Sequence, residues 1–141
     1  MSIQLLDTHA HLIADDWDTY RARPFTPDLP VPDRPSFTVT AEDLLALMDK
    51  HGVVHSCLVQ RGHVYGYDNS YIIDSGRRFP DRFVPVVILD AQDPATPATY
   101  RELVKTSHVG GFRMANARPW LLDTAWMSSP PSCARRTIFI C

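Results

Sequence analysis

The sequence lacks a long apolar run, a block of like charge and a cysteine framework. Each absence closes off a class of protein. No stretch approaches the roughly 18 consecutive apolar residues of a membrane span. The N-terminus lacks a basic segment followed by an apolar one, so a soluble, non-exported, cytoplasmic protein is expected. Net charge is −2, from 14 basic and 16 acidic residues. They are spread along the chain, which offers no surface to nucleic acid or to an anionic membrane. The three cysteines, Cys57, Cys133 and Cys141, are odd in number and far apart. They make neither a disulfide pattern nor a zinc-ligand spacing, and they suit a reducing compartment.

What is present is ordinary for a globular domain, with 45% apolar and 21% charged residues. A chain of 141 residues is one domain by length and can bury a true core. Ile3 to Leu6 reads as a short strand that runs into Asp7-Thr8-His9-Ala10-His11. Side chains two apart on an extended backbone share a face, so His9 and His11 can aim at a common point. Imidazole is a good ligand for zinc and its neighbours. Asp7 has the same parity and can orient a ligand from behind.

Ile13 to Ser36 then carries Pro24, Pro27, Pro30, Pro32 and Pro35, too many for a helix or a central strand. The spacing predicts a loop with Trp17, Tyr20 and Phe25 as apolar footing. Thr40 caps a helix in which Leu44, Leu45, Leu47 and Met48 form a stripe, ended by Gly52. Val53–Gln60 is the second strand and Arg61–Tyr67 a loop. Asp68 and Asn69 cap a helix that reaches Phe79. Phe83–Leu89 is the third strand, with Pro85 as a local violation. Ala98–Ser107 is a helix, Val109–Met114 the fourth strand, and Leu121–Met127 the start of a further helix. Strand starts near 3, 53, 83 and 109 fit repeated strand–helix units.

The strand entering Asp7-x-His9-x-His11 resembles the opening of the amidohydrolase superfamily. Three segments resemble its amidohydrolase-related branch, which includes 2-pyrone-4,6-dicarboxylate lactonase: this opening, Gln60 with Gly66-Tyr67-Asp68-Asn69, and Gly111-Phe112-Arg113-Met114-Ala115-Asn116. The resemblance implies a (β/α)8 TIM barrel, of which this chain carries the N-terminal half as four parallel strands with intervening helices. A whole barrel takes about 250 residues. It implies a metal-dependent hydrolase that acts on a small carboxylated lactone, amide or similar substrate. An inactive half-barrel that only binds or self-associates, and a decarboxylase on the same scaffold, are the alternatives. His9 and His11 would be metal ligands for zinc, or manganese, with Asp7 behind them. Lactonase-like members work without a tightly bound metal. Arg113, His63 and Tyr65 would meet the substrate.

In the family, a later histidine and a late aspartate complete the site, and the catalytic base is not identified here. Residues 1–127 read as the partial barrel. Residues 128–141, with Ser128-Ser129-Pro130-Pro131, read as an atypical tail, expected to be a truncation, a frame-shift or a disordered end. Open sheet edges predict self-association.

Overall fold

The computed structural model of the chain describes residues 4–25, 36–115 and 138–139. Strand β1 (Leu5–Ala10) leads by a long connection to helix α1 (Ala41–His51) and strand β2 (Val53–Val59). A single turn, α2 (Gly62–Tyr65), precedes α3 (Ser70–Arg78) and β3 (Phe83–Asp90). Helix α4 (Thr96–Ser107) leads to β4 (Gly111–Ala115), and β5 (Ile138–Phe139) has two residues. The sheet runs β1-β2-β3-β4-β5, and every pair is parallel. Four full parallel strands in chain order, joined through helices, are the expected first half of a barrel, with β5 added at its edge.

The elements follow from their residues. The Thr40 hydroxyl accepts the Asp43 N–H at 3.1 Å, and the Asp43 carboxylate accepts the Thr40 N–H at 3.0 Å. This capping box fixes where α1 begins, and Gly52, with φ 70°, ends it in the left-handed region. Helix α4 begins two residues ahead of the expected Ala98, because Pro97 sits in its first turn, where no N–H partner is needed.

Pro85 does stand inside β3, and the register explains why the sheet tolerates it. Its carbonyl accepts the Gly110 N–H at 3.0 Å, so its donor side also faces β4. Pairing with β4 begins only at Val86 with Gly111, so no ladder donor is lost.

The core lies between the sheet and the helices. Leu58, Val87, Leu89 and Phe112 from the strands pack with Leu44, Met48, Ile72 and Tyr100. Alternation sends Val59, Val86 and Ile88 to the opposite face. Strand β1 is the sheet edge, and Leu5 and Leu6 on it are 48% and 64% exposed. No helix among the described residues is long and apolar enough to cross a membrane. The expected helix Leu121–Met127 and most of the atypical tail lie outside the described residues.

Candidate metal and carboxylate site

Strand β1 extends to Ala10 rather than stopping at Leu6, because β2 continues to pair with it, Asp7 with Ser56 and Ala10 with Leu58. Ala10 packs on the core with Leu58. Its neighbours His9 and His11 therefore turn to the opposite face, at the carboxyl end of the strand. Their Nε2 atoms lie 3.3 Å apart. Two nitrogens bound at about 2.0–2.1 Å to one tetrahedral zinc would be separated by about the same distance. His11 Nδ1 is 2.7 Å from the Val59 carbonyl oxygen. That carbonyl can only accept, so Nδ1 carries the proton and Nε2 turns its lone pair toward His9 Nε2. A backbone carbonyl behind a ligating histidine is the usual way to fix its ring and tautomer. The pair therefore fits as two ligands of a divalent ion. Among the described residues, no cluster of three or more His, Cys, Asp or Glu side chains is placed to hold one.

Asp7 acts through the backbone. Its carboxylate accepts the His9 N–H at 3.0 Å and the Ser56 hydroxyl at 3.2 Å. The register shifts between Asp7 and Ala10, which breaks the simple parity that put its carboxylate beside the rings. It anchors the peptide that carries His9.

Burial holds the His11 pKa below its ordinary value. The positive charges of His9, Arg61 and Arg113 push the same way, and the Val59 carbonyl opposes them. Arg113, on β4, and Arg61, at the end of β2, thus both act on His11. Sequence reasoning passes over Arg61. Its place directly after Gln60, at a strand's carboxyl end, is the available signal. His63 stands exposed on α2. Tyr65 turns inward and is fully buried, and its hydroxyl accepts the Ala14 N–H at 2.9 Å. Burial pushes the Tyr65 phenol up.

The Arg61–Tyr67 segment is not simply a loop. The Gln60 side chain accepts the Arg61 N–H at 2.9 Å and donates to the Asp68 carbonyl, which closes the turn of α2. Asp68 caps α3 as expected, accepting the Ser70 N–H at 3.1 Å. Asn69 does not cap it. Its amide donates to the Ile88 carbonyl at 2.9 Å and accepts the Ile88 N–H at 2.8 Å. The β2 ladder on this side of β3 ends where Gln60 N–H meets the Val86 carbonyl. The Asn69 side chain takes the place of the next strand residue.

The connection after β1 folds back over this end of the sheet. Ile13 and Val39 exchange backbone hydrogen bonds at 2.9 and 3.0 Å, and Arg23 N–H reaches the Val64 carbonyl at 2.8 Å. Tyr20 packs on Tyr71, and Phe25 on Tyr67, each pair at 4.7 Å between centroids. Gly62 leaves room for the Phe25 ring, which a Cβ would strike.

A parallel sheet of four full strands in chain order, joined through helices, is the first half of a β/α barrel. The chain belongs to the amidohydrolase family, whose model matches residues 6–137. No curated protein matches it. Three solved structures are similar. One is a candidate 2-pyrone-4,6-dicarboxylic acid hydrolase from Acinetobacter baumannii with citric acid bound (TM-score 0.58, 20% identity). A second candidate hydrolase of that name comes from Pseudomonas putida (TM-score 0.55, 26% identity). The third is the 5-carboxyvanillate decarboxylase LigW from Sphingomonas paucimobilis (TM-score 0.57, 21% identity). The matches cover 79%, 80% and 84% of this chain, but only 37%, 37% and 44% of those structures. The likenesses at 20% and 21% identity show the shared barrel fold alone.

Proposed function

We propose that this chain supplies the metal-binding and carboxylate-binding half of an amidohydrolase that hydrolyses a small carboxylated lactone or amide. The observation that carries this reading is the His9–His11 pair, with Nε2 atoms 3.3 Å apart and His11 backed by Val59. His9 and His11 would hold a divalent ion, zinc or manganese. Such an ion, when bound, polarises a carbonyl and acidifies water. Arg113 would grip a substrate carboxylate with its planar fork. The connection after β1, fastened through Arg23, Tyr20 and Phe25, would shield the site from bulk water. The dicarboxylic acid named for two of the similar structures makes 2-pyrone-4,6-dicarboxylate the first substrate to try.

The test pairs binding with turnover. Zinc or manganese is titrated into the chain, and 2-pyrone-4,6-dicarboxylate is assayed for ring opening. His9→Ala and His11→Ala should each abolish stoichiometric binding. Among the described residues, two candidate metal ligands converge where a catalytic zinc takes three. Turnover by the chain itself is therefore expected below detection, against ready turnover by a full barrel of the family. Metal binding unchanged in the double variant would place the ion elsewhere. Release of carbon dioxide from 5-carboxyvanillate would favour a decarboxylase.

A second reading, in which the chain by itself binds and self-associates, draws on exposed Leu5 and Leu6 on the edge strand. Sedimentation velocity separates the two, since a monomer across concentrations removes the second.

A further inference from the structure

The site holds a second cation that the carboxylate reading does not use. Arg61 follows the last residue of β2, and its main chain is fully engaged without its side chain. Its N–H donates to Gln60 Oε1 at 2.9 Å, and its carbonyl accepts the Val64 and Tyr65 N–H groups, each at 3.0 Å. The guanidinium lies over the Phe37 ring, 5.9 Å from its centroid. Among the described residues, no hydrogen bond or ion pair takes up its N–H donors.

The two arginines stand on either side of β3. Arg113 is paired in register with Ile88. Gly62, next to Arg61, lies against the same residue, since a Cβ there would stand 3.1 Å from Ile88 Cδ1. Both guanidiniums are near enough to act on His11. Arg23, Arg77, Arg78 and Arg82 each pair with a carboxylate. Among the described residues no carboxylate pairs with Arg61 or Arg113. Two cations without a carboxylate partner among the described residues raise the positive potential on this side of the sheet and suit anionic charge from a ligand. One carboxylate satisfies one fork, so the second fork is matched by a second anionic group.

We propose that Arg61 is a specificity-determining residue of this site, binding a second anionic group of the substrate while Arg113 binds the first. The inference rests on the carboxylate-site reading above and adds a residue to it.

The test uses the whole chain and two flat probes, benzoate with one carboxylate and isophthalate with two, titrated by calorimetry. The wild type should bind isophthalate about tenfold or more tightly than benzoate, from one further charge-assisted contact. Arg61→Gln should remove that preference and leave benzoate affinity unchanged. Arg61→Lys, which keeps the charge but loses the fork, should retain part of it. Arg113→Gln should weaken both probes. Equal wild-type affinity for the two probes overturns the proposal. So does an isophthalate affinity untouched by Arg61→Gln, or an equal loss of both probes in that variant. Benzoate binding that ignores Arg113→Gln instead overturns the carboxylate reading itself, and a wild type that binds neither probe overturns both.

Discussion

His11 Nδ1 lies 2.7 Å from the carbonyl oxygen of Val59, 48 residues further along the chain. This one contact joins the ends of β1 and β2 and decides which nitrogen of the ring carries the proton. It also places the imidazole where burial and neighbouring positive charge favour its neutral form.

A metal binds only the neutral imidazole. Because the His11 pKa is lowered, the neutral form persists as pH falls past the ordinary value of 6.5. Zinc binding should therefore fade with a midpoint below that value. A zinc titration across roughly pH 5–8 measures the midpoint. A value at or above the ordinary one would contradict the electrostatic account.

Asn69→Ala should destabilise the fold without touching the histidines. It would leave the buried Ile88 N–H and carbonyl without their partner. Each unsatisfied group costs about 1–3 kcal/mol, so a loss of roughly 2–6 kcal/mol is expected. Urea unfolding monitored by circular dichroism reads it, and a loss below about 1 kcal/mol would mean that the strand is satisfied in some other way.

Gly76 in α3 invites the opposite of the usual rule. Alanine in place of a helical glycine normally stabilises by about 1 kcal/mol. Here a Cβ would collide with the Pro85 ring, and overpacking costs about 1–3 kcal/mol. Gly76→Ala should lower the melting temperature. A rise would show that β3 can shift away at little cost.

Tyr71 supplies an alkaline signature. Burial, as the largest cause, pushes its phenol from the ordinary 10 up to about 12, and only 6% of the residue is exposed. The folded state thus favours the neutral phenol. The stability it confers is whole below pH 10 and is lost as pH rises to about 12. A tenfold change in proton affinity is worth about 1.4 kcal/mol, so the loss should approach roughly 3 kcal/mol. Tyr71→Phe should flatten this part of the stability profile, and an identical alkaline decline in that variant would assign it to other groups.

The sequence by itself determined the alternation of strands and helices, the Thr40 cap of α1, and the closeness of His9 and His11. These depend on neighbours within a few residues, where spacing maps directly onto a face or a turn. Tyr20 and Phe25 as footing for the long connection were legible for a similar reason, as large apolar side chains in a polar stretch. Tertiary structure alone decided the rest. Asn69 looks like a helix cap from its neighbours, but it serves Ile88, 19 residues on. Asp7 has the right parity for a ring partner, but a register shift against β2 turns it to a backbone N–H and to Ser56. Pro85 violates the strand rule locally and is harmless because β4 joins one residue later. Arg61 and Arg113 come to the two sides of β3 only because β2, β3 and β4 lie side by side. A one-dimensional pattern carries short-range geometry, whereas the partner of a hydrogen bond or a charge is chosen by whichever strand packs alongside.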